Sequence, residues 1–139
     1  MADPLAAEQE AALTAAALAV RDRAYAPYSG FRVGAALLDE QGRIHAGCNV
    51  ENVAYPQSQC AEASAIGVMV AAGGRQILAV AVAGPDGRAP TPCGGCRQRL
   101  AEFAGPETPV LICDATGIVG HHLLGALLPA NFGPELHGG

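Results

Sequence analysis

The chain has 139 residues and a mass of 14.0 kDa, and half of its residues are hydrophobic, which fits one folded domain and argues against disorder. Aromatic residues make up only 4%, so the core has to be built mainly from Ala, Val, Leu and Ile. The formal net charge is −5 and none of the eight basic residues is lysine, which disfavours a nucleic-acid-binding or polybasic membrane-surface protein.

The first predicted element is a helix over residues 4–24, a stretch rich in the strong helix formers Ala, Leu, Glu and Arg. Asp3 is placed to act as its N-cap, with Pro4 at the first helical position. Because an internal proline breaks a helix, we expect this element to end before Pro27.

Strand-like and helix-like segments follow in turn along the chain. A predicted hairpin over residues 31–38 and 43–49 is followed by a helix over residues 60–72. The remaining predicted elements are a buried strand, a helix, two strands and a short terminal helix: 76–83, 93–103, 110–113, 116–121 and 122–128. The order α-β-β-α-β-α-β-β predicts a layered α/β domain around one mixed sheet.

The sequence indicates a compartment for the protein, and the compartment in turn bears on the role of its cysteines. No apolar run reaches the ~18 residues of a membrane span, and the N-terminus carries acidic residues where a secretory signal carries basic ones. We therefore expect a cytoplasmic protein with a single domain over residues 1–139. A reducing compartment disfavours disulfides, so the five cysteines are better explained by metal binding or catalysis.

Three of these cysteines occur in a pattern typical of a catalytic zinc site. Cys60 and Glu62 form a C-x-E motif, and Cys93 and Cys96 form a P-C-x-x-C motif, each opening a predicted helix. Two adjacent helix N-termini would favour thiolates, and catalytic zinc keeps three protein ligands and one position for water. Glu62 could lie over the metal without binding it and move a proton to and from water.

A structural zinc site is the alternative, and it requires a fourth protein ligand. Five side chains could supply that ligand: Cys48, Cys113, His45, His121 and His122. We expect both cysteines to be buried in apolar strands, His45 to be exposed near the hairpin, and the other two histidines to cap the terminal helix or lie on the surface. A carboxylate at the offset of Glu62 has no structural role, which favours catalysis.

The pattern C-x-E … P-C-x-x-C is that of the zinc-dependent deaminases, and residues 22–133 resemble the small, homotetrameric cytidine deaminases with three cysteine ligands. The matching stretches are YAPYS from Tyr25, FRVGAAL from Phe31, GCNVEN from Gly47, CAE from Cys60, PCGGCRQ from Pro92 and LPANFGP from Leu128. The resemblance implies a three-layer α-β-α sandwich with a five-stranded mixed sheet. It also implies hydrolysis of cytidine and 2′-deoxycytidine to the uridines in pyrimidine salvage, with release of ammonia.

The resemblance further implies the role of each matching residue. Cys60, Cys93 and Cys96 would hold one Zn²⁺ per subunit, and Glu62 would take a proton from water and deliver it to the leaving amine. The other matching residues would bind substrate: Asn49 and Glu51 at the ribose, Phe31 at the base, Tyr55 after the NVEN motif, and Phe132 in a neighbour's site. The last assignment implies a homotetramer with shared active sites.

The chain departs from the commoner pattern of the family at one position. An arginine usually follows C-A-E there and offsets the charge of the third thiolate, but this chain has Ala63. Three thiolates leave a zinc site at a formal charge of −1, which makes the metal a poorer Lewis acid. Arg97, directly after Cys96, is the predicted compensator, and we expect Arg97→Ala to lower turnover more than zinc content.

Two other functions are consistent with the sequence. One is a deaminase that acts on another aminated ring, such as a nucleoside antibiotic of the blasticidin type, although Asn49 and Glu51 favour a substrate that carries ribose. The other is a non-catalytic zinc module that binds nucleosides or a protein. The acidic charge disfavours editing of polynucleotides.

Overall fold

A computed structural model describes residues 5–134 of the chain. Its elements in chain order are α1 Ala7–Arg21, β1 Gly34–Asp39, β2 Ile44–Cys48, a 3₁₀ turn Tyr55–Gln57, α2 Ala61–Ala71, β3 Ile77–Ala83, α3 Gly94–Ala101, β4 Pro109–Asp114, β5 Gly117–Leu123 and α4 Leu124–Leu127. The predicted order of helices and strands is confirmed. Within the described residues, no helix has the length and apolar character that a membrane crossing requires.

The five strands form one mixed sheet in the order β2-β1-β3-β4-β5. Strand β1 is antiparallel to both β2 and β3, β3 is parallel to β4, and β4 is antiparallel to β5. Strands β2 and β3 therefore run in the same direction on either side of β1. The helices α2 and α3 follow these two strands, so both helices begin at the same edge of the sheet.

Helices cover both faces of the sheet, which confirms the three-layer α-β-α sandwich. On one face, α1 packs through Leu13 and Ala17 on small sheet residues such as Ala36, Ala79 and Ala81. On the other face, α2, α3 and α4 pack against larger side chains, including Leu37, Val80, Val82, Val110 and Ile112. The alanine-rich face shows how a core forms with almost no aromatic residues.

Two glycines allow helices to approach the sheet closely. A Cβ atom at Gly34 of β1 would lie 2.1 Å from the Ala17 carbonyl oxygen of α1. A Cβ atom at Gly47 of β2 would lie 2.4 Å from the Ala65 backbone nitrogen of α2. Both distances are far below a van der Waals contact, so any side chain there would push a helix off the sheet.

The structure corrects several predicted boundaries. The first helix ends at Arg21 rather than at residue 24. The first helix begins at Ala7, with Ala6 as its N-cap, and the predicted caps Asp3 and Pro4 lie outside the described residues. The first strand begins at Gly34 rather than residue 31, because the Asn49 side chain binds the backbone of residues 31 and 33. Residues 122 and 123 belong to β5 rather than to the terminal helix, since both pair with β4.

The cysteines and histidines outside the metal motif also differ in part from expectation. Cys113 is buried as predicted, and burial raises the pKa of its thiol to about 11. Cys48 is only half-buried, because it ends the edge strand β2. The structure brings His45 inside, with 7% exposure, because its Nε2 atom lies 2.8 Å from the Asp39 carboxylate. The expectation of an exposed His45 is therefore wrong.

Asp39 is itself fully buried at the end of β1, where it joins several parts of the hairpin. It accepts hydrogen bonds from the backbone N–H groups of Gln41 and Arg43 and from the Arg43 guanidinium. Burial opposes ionisation of Asp39, but the hydrogen bonds with His45, Arg43 and Gln41 outweigh it and hold the pKa of that carboxyl well below its usual range.

Candidate metal centre and active site

The three cysteines of the predicted zinc motif meet at the N-termini of α2 and α3. Cys60 is the N-cap of α2 and Cys93 is the N-cap of α3, while Cys96 lies one turn into α3 and is fully buried. All three sulfur atoms lie within 4.8 Å of one another, and the Sγ atoms of Cys60 and Cys93 are 3.9 Å apart. Zn–S bonds of about 2.3 Å in a tetrahedron place sulfur atoms about 3.8 Å apart, so the donor set fits zinc.

No fourth protein ligand completes this group among residues 5–134, since no other cysteine, histidine or carboxylate joins it at comparable distances. The alternative ligands considered from the sequence are placed elsewhere. His45 is paired with Asp39, Cys113 lies under α1, and both His121 and His122 lie on β5. Three ligands with one remaining position are the arrangement of a catalytic zinc site rather than a structural one.

The electrostatics of the thiol group suit a cation. Burial raises the pKa of the Cys60 and Cys96 thiols, and the neighbouring sulfurs and the Glu62 carboxyl add to this effect at Cys96. The pKa of Cys93 is lowered: burial opposes this change, but hydrogen bonds from Cys96 and Cys60 outweigh burial. Three thiols this close together, one of them fully buried, hold negative charge readily only when a positive ion compensates it.

Glu62 lies in the first turn of α2, is only 4% exposed and interacts with the Cys96 thiol. Burial raises the pKa of its carboxyl, against opposing contributions from its own backbone N–H, the Cys96 thiol and the charge of Arg99. A buried carboxyl whose protonated form is favoured can carry a proton between two partners, which is the requirement for a general acid and base.

A cavity of about 440 Å³ opens beside Cys60 and contains three of the predicted substrate-binding residues. Its lining consists of Tyr28, Ser29, Asn49, Glu51, Tyr55, Ser58, Gln59 and Cys60. Asn49 accepts a hydrogen bond from the Val33 N–H at 2.9 Å and donates one to the Phe31 carbonyl at 2.8 Å. This leaves one N–H of the Asn49 amide to face a ligand.

Glu51 extends into the same cavity and is held by the preceding loop. It accepts hydrogen bonds from the backbone N–H groups of Tyr28 at 2.9 Å and Ser29 at 3.1 Å, and from the Ser29 hydroxyl. The hydrogen bond from the Ser29 hydroxyl, with those from the two N–H groups, lowers the pKa of Glu51 against a smaller effect of burial. The carboxylate is therefore ionised and ready to accept hydrogen bonds from a ligand.

The three predicted aromatic residues occupy different positions. Tyr55 lines the cavity and packs edge-on against Tyr28, with ring centroids 6.0 Å apart. Phe31 is partly buried against the core under α2 and α3, and the Arg88 guanidinium stacks 5.5 Å from its ring centroid. Phe132 is 61% exposed, and its carbonyl accepts a hydrogen bond from Gln98 of α3. Phe132 does not line the cavity beside Cys60 in its own chain.

The guanidinium of Arg97 binds backbone and hydroxyl oxygens rather than the thiols. It donates hydrogen bonds to the Pro92 carbonyl at 2.7 Å, the Leu127 carbonyl at 2.8 Å and the Thr91 hydroxyl at 3.0 Å. Arg99 has the contact that was expected of Arg97, because its Nη1 atom lies 4.0 Å from the Cys96 sulfur. Sequence reasoning missed Arg99, although its i+3 spacing from Cys96 places both residues on one helix face.

Fold and site together define a class: an α/β domain that binds one metal ion through three thiols and keeps a buried carboxyl beside it. Comparison with known proteins narrows that class. Residues 7–112 match the family described as the cytidine and deoxycytidylate deaminase zinc-binding region. The chain belongs to this family, whose members are hydrolases acting on C–N bonds.

Several proteins named cytidine deaminase are similar to this chain over most of their length. A cytidine deaminase from Sporosarcina psychrophila is 44% identical over 115 residues, covering 83% of this chain and 85% of that relative. A cytidine deaminase from Mycobacterium tuberculosis is 46% identical over 110 residues, covering 79% of each. The crystal structure of cytidine deaminase from Burkholderia pseudomallei has a TM-score of 0.82 at 44% identity, covering 88% of this chain and 98% of that one.

Proposed function

We propose that this chain is a zinc-dependent cytidine deaminase. It converts cytidine and 2′-deoxycytidine to uridine and 2′-deoxyuridine in pyrimidine salvage, as one deaminase domain over residues 1–139. One observation carries the proposal: Cys60, Cys93 and Cys96 converge within 4.8 Å, and the buried Glu62 carboxyl interacts with Cys96 beside them. Hydrolysis requires this combination of three protein ligands for a metal ion with a proton carrier beside them.

The reaction assigns a separate task to each group. Cys60, Cys93 and Cys96 would hold the zinc ion, which would supply a Lewis acid that makes water easier to deprotonate. The oxygen of water would bond to C4 of the cytosine ring while a proton is added to N3, so the C4=N3 double bond becomes a single bond. A second proton, added to the amino group, would then break the C4–N bond, release ammonia and leave a carbonyl at C4. Glu62 would take one proton from the water and deliver it to N3, then take the second proton from the oxygen now on C4 and deliver it to the departing amine. Its burial would keep these protons from exchanging with solvent during transfer.

The cavity beside Cys60 supports a nucleoside as substrate. Its volume of about 440 Å³ is within the range of small-molecule sites. Asn49 and Glu51 offer an amide N–H and a carboxylate, and both groups suit the hydroxyls of a sugar. We propose that these two residues hold the ribose, while Phe31 and Tyr55 help to enclose the base.

Phe132 supports a shared active site and a homotetramer. Phe132 is 61% exposed and lies outside the cavity of its own chain, as expected of a residue that enters a neighbour's site. Tyr55 of the cavity is also exposed, as are Val50 and Val53 in the same segment of the chain. A second copy of the chain would cover these side chains, since exposed apolar patches are typical of the surfaces through which proteins associate.

The test is loss of the absorbance of the cytidine amino chromophore, with zinc content measured on the same samples. We expect the protein to deaminate cytidine, a chelator to abolish the reaction and added zinc to restore it. Glu62→Gln keeps the size of the side chain but removes the proton carrier, so activity should fall by about 10³-fold or more while zinc stays bound.

Full activity of the Glu62→Gln variant would contradict the mechanism. A wild-type protein that binds zinc without turnover would support the non-catalytic zinc module instead. Comparing cytidine, 2′-deoxycytidine, cytosine and blasticidin S identifies the substrate class. A preference for blasticidin S, or equal rates with free cytosine, would contradict the proposed binding of ribose by Asn49 and Glu51.

A further inference from the structure

We propose that Ser29 is a positioning residue that aims the Glu51 carboxylate at the sugar of the substrate and connects it to the backbone of Phe31. This inference rests on the proposed function, in which Glu51 holds a sugar hydroxyl. Ser29 lies in the YAPYS stretch, for which the sequence analysis gave no role, and it lines the cavity beside Cys60.

The number of acceptor positions on Glu51 carries the argument. Each oxygen of an ionised carboxylate accepts about two hydrogen bonds. The Oε1 atom already accepts two, from the backbone N–H groups of Tyr28 at 2.9 Å and Ser29 at 3.1 Å. The Oε2 atom accepts one, from the Ser29 hydroxyl. A hydroxyl of the sugar can therefore be accepted at Oε2, on the oxygen that Ser29 orients.

The Ser29 hydroxyl has only one orientation that satisfies its neighbours. Its oxygen accepts a hydrogen bond from the Phe31 N–H at 2.9 Å, so its single proton is directed to Glu51 Oε2. The Ser29 hydroxyl thus connects the Glu51 carboxylate, which we propose binds the sugar, to the backbone of Phe31, which we propose helps to enclose the base. Together with the two N–H groups at Oε1, this charge-assisted hydrogen bond at Oε2 fixes the terminal torsion of Glu51, which is broad in a side chain without such bonds.

The surrounding backbone makes the loop a firm support for this hydroxyl. The Tyr25 N–H donates to the Asn49 carbonyl at 3.0 Å, and the Glu51 N–H donates to the Tyr25 carbonyl at 2.8 Å. The loop closes where the Gly30 N–H donates to the Ala26 carbonyl at 2.9 Å, with Gly30 at a φ of +69°. Residues 25–31 are held against residues 49–51 by these bonds, so loss of the Ser29 hydroxyl should leave the fold intact.

The experiment compares Ser29→Ala and Ser29→Thr with the wild-type zinc enzyme. The readouts are KM and kcat for cytidine and the inhibition constant of 2′,3′-dideoxycytidine, which lacks both ring hydroxyls of the sugar. We expect Ser29→Ala to raise KM for cytidine about tenfold, which corresponds to about 1.4 kcal/mol, with kcat changed less than about twofold. The inhibition constant of the dideoxy compound should stay within about twofold, and threonine should restore KM.

Two further variants separate the possible failures. Glu51→Gln should raise KM for cytidine relative to the dideoxy inhibition constant, and adding Ser29→Ala to it should change KM less than about twofold. If Glu51→Gln leaves that ratio unchanged, the proposed binding of the sugar by Glu51 fails. If Glu51→Gln behaves as expected but Ser29→Ala leaves KM unchanged or raises both constants equally, the positioning role of Ser29 is wrong. Should Ser29→Ala not fold, Ser29→Cys keeps the size with a weak donor and gives the same comparison.

Discussion

Removing Arg99 should weaken zinc binding, whereas removing Arg97 should weaken the fold. The Nη1 atom of Arg99 lies 4.0 Å from the Cys96 sulfur. At an effective dielectric constant of 20, two unit charges at that distance attract by about 4 kcal/mol. Arg99 is exposed, and exposed ion pairs contribute at most about 1 kcal/mol after screening. We therefore expect Arg99→Ala to lower zinc affinity about fivefold at physiological salt.

Arg97 has a different set of partners and should give a different result. Its three hydrogen bonds to Pro92, Leu127 and Thr91 connect α3 to the segment before it and to α4. Each such bond contributes about 1 kcal/mol, and part of this is recovered by hydration, so Arg97→Ala should lower the free energy of unfolding by about 2 kcal/mol. The sequence-based assignment of charge compensation to Arg97 stays a prediction that the same experiment tests.

The assay is competition for zinc with a chromophoric chelator, at low and high salt, together with urea unfolding of the zinc-loaded proteins. The effect of Arg99→Ala should shrink at 1 M salt, where the Debye length is about 3 Å, and Arg99→Lys should retain most of the wild-type affinity. If Arg99→Ala binds zinc like the wild type, Arg99 does not compensate the charge of the thiolates. A loss of turnover in Arg97→Ala, at unchanged zinc content and stability, would instead assign the compensation to Arg97.

Three more predictions test the packing, the pH dependence and the thiols. Gly47→Ala should destabilise the protein by about 1–3 kcal/mol in urea unfolding, because its Cβ would collide with α2, while Gly67→Ala on the open face of α2 should be neutral or stabilising; equal effects would contradict this. The pKa of Asp39 is lower in the folded chain, so its ionised carboxylate contributes to stability in full above the ordinary carboxyl pKa of about 3.9, and this contribution decreases as pH falls from there towards the folded-state pKa. Asp39→Asn should therefore lower stability at pH 7, and its difference from the wild type should shrink at pH 3; a difference that grows in acid would contradict the assignment. In the zinc-free protein at pH 8, a thiol reagent should label the exposed Cys93 rapidly and Cys113, whose pKa is about 11, only after unfolding; equal labelling rates would show that Cys113 is accessible.

The parts of the site that depend on local spacing could be predicted from the sequence. Cys93 and Cys96 are three residues apart at the start of a helix, and helical geometry alone directs both sulfurs to one point. The position of Cys60 beside them depends on how the sheet is arranged, which local spacing does not predict. This part of the site was predicted from the resemblance of the motifs to the deaminase family. The prediction of the three-layer fold from the same resemblance is confirmed by the order of the strands and by helices on both faces.

The parts that depend on contacts between distant side chains could not be predicted. His45 is buried because Asp39, six residues earlier, turns back towards it at the end of the hairpin. Helix propensity favours a helix from residue 122 onwards in the leucine-rich end of the chain. His122 and Leu123 instead pair with β4, so β5 ends two residues later than expected. Arg97 directly follows a ligand, but its partners lie as far as residue 127, so adjacency in sequence did not indicate contact.

The arrangement of the strands has a consequence for the order of assembly. Cys60 follows β2 and the other two ligands follow β3, and these strands are neighbours of β1 rather than of each other. In the folded chain the sulfurs are therefore brought together by the pairing of all three strands, and we expect the ion to bind to a site that has already folded. We expect protein produced under zinc starvation to be folded and to recover fully on simple addition of the ion, unlike small zinc fingers that are unfolded without it.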